Sequence, residues 1–468
     1  MDDAGRGKGG CVMDARAQKR IAAMPAATWQ RLDMNDATLD VEDELEHVSS
    51  ADVVCSLDLR EGAEDVLAAF LTGRAKGWSE DWDSGAGSTW EGWMAAAEAT
   101  FADSSAADAW RDTGSGRTAG GDAKAGSGGD EGPGGDVGDG GIGETALSAY
   151  QERVRDIESS GSVRATFECG LGEEASEWLR GAAGGVHTFT APTDAAGTLS
   201  IAVEGVDGAL NACAADVLCG ANSNVCINIT ADSPTAGSGM TATTLRIFCE
   251  TGSTVVINRV QTLDDSWVDL DDIGLFLSDG ATVEVRQTVL GAAKSYTGLA
   301  GDLRGDGSTA RISARYLGHG EQELDFNYIL RHHGKKTTSE LTSNGVLTDS
   351  SSKCLRGTID LMRGAKGAEG TETDTVLLAD DGVVNKTVPC ILCSEDDVAG
   401  NHGATIGHIS GEQLFYLASR GIPEEAAEDM FASAVLEEAY LEAVDETARA
   451  AVERLAGTLV EDFDEMRA

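Results

Sequence analysis

Residues 386–422 read KTVPCILCSEDDVAGNHGATIGHISGEQLFYLASRGI, and three textures follow one another within them. An apolar run, Val388 to Leu392, is strand-like. Glu395, Asp396 and Asp397 make an acidic turn. A lone histidine, His402, sits between Asn401 and Gly403, where little bulk crowds it. The chain then turns helical: Ser410 with Gln413 forms a capping-box pattern, and Gly421 stands where a C′ glycine ends a helix.

Upstream of this junction, 186–409 is a series of short alternating stretches. They include Thr198–Val203, Thr244–Cys249, Thr254–Val260, Ile273–Leu277, Ala281–Val289, Ala310–Tyr316, Leu324–Leu330 and Thr358–Leu361. Gly, Asp, Asn or Ser punctuate them, and two turns look alike, Asp279-Gly-Ala-Thr-Val and Asp306-Gly-Ser-Thr-Ala. So many strands without intervening helices suit a β-sandwich or a β-helix, and periodicity does not choose between these. Downstream, 410–468 reads as a helical domain. Pro423 suits the first turn of a helix over Glu424–Tyr440, and Ala448, Val452, Leu455 and Leu459 form one stripe of a last helix over 445–462. Toward the N-terminus, 144–185 reads as a helical lead-in to the core. Segment 112–143 is a Gly/Asp-rich linker with almost nothing to bury, expected to be disordered. Segment 1–111 reads as helical from the spacing of apolar residues in Glu61–Phe70 and Trp90–Phe101.

The 468 residues are ample for a large core. Against 35 Lys+Arg stand 80 Asp+Glu, a formal charge of −45. A surface of that sign repels phosphate backbones, so nucleic acid is not an expected partner. No window is apolar enough for a membrane span, and the first residues lack the apolar region of a secretion signal. A cytoplasmic location with its ten cysteines reduced is therefore expected. The acidic run DSWVDLDD, 265–272, lacks the spaced glycine of a calcium loop and reads as a solvated turn. There is no Gly-x4-Gly-Lys-Ser/Thr phosphate loop and no Gly-x-Ser-x-Gly elbow, which argues against an ATPase and against that class of hydrolase.

From Asp396 to Gly421 the chain resembles the C-terminal signature of the SufB/SufD family of iron–sulfur cluster assembly scaffolds, and the SufD branch in particular. The shared elements are Asp-Asp-Val, His-Gly-Ala-Thr, a following glycine, Leu-Phe-Tyr-Leu and Ser-Arg-Gly. The similarity is strong from about Asn327 to Pro423, weaker at Cys169–Leu179 and Trp29–Leu39, and absent in the linker. The resemblance implies a mainly β fold: a right-handed β-helix core flanked by N-terminal and C-terminal α-helical regions. It also implies a scaffold with no turnover of its own, handling a transient iron–sulfur cluster or its iron and sulfide precursors. The implied partners are a SufB paralogue in a heterodimer, or a second copy in a homodimer, and a SufC ATPase on the C-terminal helices. A homodimeric all-in-one scaffold is the nearest alternative. A β-helix carbohydrate-active enzyme is a further one, for which no convincing carboxylate set appears.

Within that resemblance His402 is the implied metal ligand at the partner interface, and a neutral imidazole suits iron. Many SufD proteins carry a cysteine two residues before this histidine; here the position is Gly400. Cys390 and Cys393 are the nearby candidates to compensate. On a strand, residues three apart face opposite ways, which disfavours a shared metal and favours buried small hydrophobes. Cys213, Cys219 and Cys226 form a loose triplet in what reads as a loop-rich region, with no defensible cluster spacing. His332 and His333, followed by Gly-Lys-Lys-Thr, read as a charged coil edge facing an acidic neighbour.

Overall fold

The structure, a computed structural model, describes residues 17–24, 34, 36–41, 45–55, 60–61, 169–460 and 463. Its centre is a parallel β-solenoid of about eight turns. Each turn contributes one strand to each of two facing sheets. The first sheet stacks His187–Ala191, Ala209–Cys219, Gly239–Cys249, Trp267–Leu277, Lys294–Leu303, Glu323–His332, Ser352–Leu361 and Val384–Cys393. The second stacks Ala196–Glu204, Asn224–Asp232, Thr254–Thr262, Thr282–Val289, Thr309–Gly318, Thr338–Leu347, Glu369–Leu378 and Ala399–His408.

The alternation of side chains explains the stacking. Thr282–Val289 (TVEVRQTV) turns Val283, Val285, Gln287 and Val289 inward. Neighbouring coils repeat that parity, so Val255, Ile257, Ile312 and Leu341 meet Leu245, Ile273, Phe326 and Leu355 in one lumen core. A coil buries this face only against the coils on either side of it, which makes the fold quasi-one-dimensional. The look-alike turns mark the coil length. Asp279 Oδ1 accepts from the N–H of Asp306, 27 residues on, at 2.8 Å, and Asp306 Oδ1 accepts from the N–H of Lys335 at 2.8 Å.

The outer face of the first sheet is covered as well. Helix α1, Glu173–Ala182, and the antiparallel pair Ala17–Ile21 with Ala37–Val41 bring Ile21, Leu39, Leu171, Ala175 and Leu179 onto Leu210, Met240 and Leu270. The described part of 17–61 is thus strand rather than the expected helix: Glu46–Val48, Asp52–Cys55 and Arg60–Glu61 pair with the first coils. Exposed backbone at a solenoid end needs hydrogen-bond partners, and the solenoid's own N-terminal edges recruit this segment. The windows read as helical, from 62 to 101, lie outside the described residues. So do the linker 112–143 and the charged stretch 146–159.

After the last coil come α2 (Gly411–Ser419), α3 (Glu424–Glu442) and α4 (Glu446–Leu459). The capping box at Ser410 and Gln413 forms, and Gly421 adopts φ +89° just past α2. Leu436, Val452 and Leu455 pack on Val260, Leu290, Leu317 and Val346, the outer face of the second sheet, while Leu459 stays partly exposed. Arg315 clamps Glu438, and Arg454 clamps Asp232 and Asp264. No helix among the described residues is long and apolar enough to cross a membrane.

The two ends of the solenoid differ. At the N-terminal end the chain's own short strands pair with the first coils. At the C-terminal end Val384–Cys393 and Ala399–His408 each pair with the coil below, and among the described residues no strand covers their outer edges. Pro389 lies within the first of these, and proline, lacking a backbone N–H, belongs on an edge strand.

Candidate functional site

His402 lies in this open coil, within the edge strand Ala399–His408 rather than at a turn, and its side chain is exposed. Its register partner is Glu372, one coil below. Gly400, on the same face, looks across the lumen: a Cβ there would stand 3.0 Å from Ile391 and 3.3 Å from Leu361. His402 therefore crowns the mouth of the lumen. A cysteine at 400 would crowd that wall.

Cys390 and Cys393 do not join it. Cys390 points to the outer face of the first sheet, packed with Met24, Met34 and Val388 under the N-terminal segment. Burial, then the carboxylates of Asp360 and Glu372, push its thiol up to about 11. Cys393 is exposed at the strand end and donates to the Glu395 carbonyl at 3.2 Å. Among the described residues no group of three His, Cys, Asp or Glu side chains stands ready to hold a metal.

Beneath His402 the lumen is polar. Glu372 and Asp374 both point inward and are 1% and 0% exposed. Lys353 Nζ donates to Asp374 Oδ2 at 2.6 Å, Thr387 donates to the same oxygen at 2.7 Å, and the ammonium lies 5.5 Å from the Tyr316 ring centroid. Glu372 extends toward Gly357 of the first sheet, where a Cβ would sit 2.3 Å from its carboxylate. Only glycine leaves that room. Burial and the neighbouring Asp374, against the pull of Lys353, raise Glu372 to about 7. Neither of its oxygens has a hydrogen-bond partner.

Deeper in, only Asp265 and Ser266 of the DSWVDLDD run form an exposed turn; from Trp267 on it is strand, and Asp269, Asp271 and Asp272 are buried. Asp269 and Asp271 face the lumen and grip Arg259 at 2.7 and 3.1 Å. Gln287 donates to Asp271 at 2.6 Å and Tyr328 donates to Gln287 at 2.9 Å. Burial raises Asp271 to about 6. Burial also works against the Arg259 charge, but Asp269 and Asp271 outweigh it and the guanidinium pKa rises. Asp272 faces the other way and accepts from the N–H of Leu171 at 2.9 Å, tying α1 to the sheet. Carboxylates are hidden here because a solenoid has an inside that a local reading of charge does not see.

The other candidates also move. His332 is a lumen residue between Thr337 Oγ1 (2.7 Å) and Ser339 Oγ (2.8 Å), and burial lowers it to about 4. His333 faces Asp302 at 3.5 Å and is lowered to about 4, chiefly by burial and Arg304. His332 therefore does not belong to a charged edge, whereas His333 does, beside Asp302, Arg304 and Arg331. Cys213 and Cys219 lie on a lumen-lining strand and Cys226 on the next strand of the opposite sheet, not in loops. Cys219 is in register with Cys249, a full coil away in sequence. Glu372 itself escaped the sequence reading. The 27-residue spacing of the Asp279-Gly and Asp306-Gly turns carries only part of the signal: one such step back from His402 falls on 375, three residues from Glu372.

Residues 206–435 match the family profile described as SUF system FeS cluster assembly, SufBD core domain. The chain is 32% identical over 157 residues to the iron-sulfur cluster assembly protein SufD of Bacillus subtilis, covering 33% of this chain and 36% of that one. It is 30% identical over 156 residues to SufD of Escherichia coli, covering 33% and 37%. To the chloroplastic SufBD family protein ABCI8 of Arabidopsis thaliana it is 28% identical over 199 residues, covering 40% and 35%. The chain thus spans little more than a third of these relatives' length, 35% to 37%.

Proposed function

With residues 206–435 forming a SufB/SufD-family core domain, most like SufD, we propose that the chain is the SufD-like subunit of an iron–sulfur cluster assembly scaffold. The observation that carries the reading is the open C-terminal coil. Two terminal strands whose outer edges no described strand covers, and Ile406 at 50% exposure, make a surface that a second solenoid end would complete by strand pairing and apolar burial. His402 sits on that surface, where iron and sulfide would meet ligands from two chains. The partner is a SufB paralogue or, in the all-in-one variant, a second copy. The exposed apolar side chains of α2, Phe415 (76%) and Tyr416 (56%), suit a SufC-type ATPase, whose rearrangement would open the joint. The buried acids Asp269, Asp271, Glu372 and Asp374 line the lumen rather than an external groove, which favours a scaffold over a carbohydrate-active enzyme.

The test is Ile406→Asp. A carboxylate at the mouth desolvates poorly, so this variant is expected to lose co-purification with the SufB-type partner, and self-association if that is the assembly. The melting temperature of the isolated chain is expected to stay unchanged. Undiminished association in both assays contradicts the assignment of this end as the interface.

A further inference from the structure

The last two coils hold a surplus of buried acceptors. Glu372 Oε1 and Oε2, Asp374 Oδ1 and Asn385 Oδ1 are all buried without a hydrogen-bond donor. The local cation, Lys353, is already committed to the other Asp374 oxygen at 2.6 Å. Folded proteins pair nearly all such atoms, and a cluster short of donors calls for a proton, a water or a cation. Glu372 is 99% buried by its 1% exposure, and a glycine opposite makes room for its carboxylate. Its register partner one coil up, on the same face, is His402, and parallel strands lie about 4.8 Å apart, a backbone spacing at which two side chains can reach one ion.

We propose that Glu372 and His402 form a half-site for a divalent first-row transition cation of the ferrous class at the mouth of the lumen. One oxygen and one nitrogen ligand suit that borderline cation better than a hard one, which prefers oxygen alone, or a soft one, which prefers thiolate. Two protein ligands leave positions for water and for groups from the partner, so the ion is held loosely enough to be passed on. The inference rests on the assembly role proposed above and deepens it: iron waits on this chain's side of the joint, on a carboxylate that no sequence motif marks.

The test uses the full chain, freed of metal, in excess Mg2+ to occupy the acidic surface, with Co2+ as the probe. Wild type is expected to bind one equivalent with a visible d–d band. Glu372→Gln and His402→Ala are each expected to weaken that binding at least tenfold while melting no lower than wild type. Glu250→Gln, a buried acid far from the mouth, is expected to bind as wild type does. Unchanged Co2+ affinity in Glu372→Gln, or no saturable Co2+ binding by wild type, overturns the site. Cluster formation by the wild-type chain with its partners is measured separately. Its failure beside an intact Co2+ site would remove the assembly role and leave the cation site standing.

Discussion

At the residue scale the molecule is governed by charges held inside a β-solenoid. Glu250 accepts from the N–H of Ala221 at 3.0 Å through one oxygen, and its other oxygen has no partner. Burial raises it from 4.5 to about 7. A carboxyl raised in the fold weakens the fold only when ionised. The penalty is absent below the ordinary value of 4.5, grows as pH rises, and is complete above about 7. Glu250→Gln is therefore expected to match wild type in urea stability near the low end of that window. Above it the variant should be more stable, by up to about 3 kcal/mol. A stability difference that does not change with pH would mean the carboxyl is not desolvated as described. The two buried histidines, His332 and His333, act in the opposite sense. Each is lowered to about 4, so each withdraws stability as pH falls from its ordinary 6.5 toward that value. For this reason the test compares variant with wild type at each pH.

At the element scale, α2 stands apart from α3 and α4. None of its residues is buried, whereas α3 and α4 supply Leu436, Val452 and Leu455 to a shared core on the second sheet. Phe415→Glu is expected to abolish binding of the SufC-type ATPase. It should change stability by no more than about 0.5 kcal/mol, since it removes no buried contact. Equal ATPase affinity would place the docking surface elsewhere. The elements also show what sequence carries and what it hides. Strands with one face in the lumen and one in solvent, such as Thr282–Val289, alternate cleanly and can be read directly. Ala209–Cys219 is buried at every position, because α1 and the N-terminal strands cover its outer side, so it shows no alternation. Glu369–Leu378 (EGTETDTVLL) turns Glu372 and Asp374 inward and so looks like a polar loop. The motif singles out His402 as a candidate; it does not mark Glu372, which is brought into register with it only by the coil-to-coil pairing.

At the scale of the whole molecule, a formal charge of −45 on 468 residues sets a condition for stability. Self-repulsion of that size opposes the compact state and is screened by salt, whose Debye length falls to about 3 Å at 1 M. The melting temperature is expected to rise steeply with NaCl, and a flat response in calorimetry would show that the charges are spaced too widely to matter. Among the described residues the chain's own short strands pair with the first coils, while the outer edge of the last coil is left open, and the proposed function lies at that open end. The most direct measurement is cluster yield in a complex reconstituted from this chain, its SufB-type partner and the SufC-type ATPase, with His402→Ala compared against wild type. The variant is expected to fold, keep both partners and lose cluster assembly. Full cluster yield from the His402→Ala complex would contradict a role for this histidine.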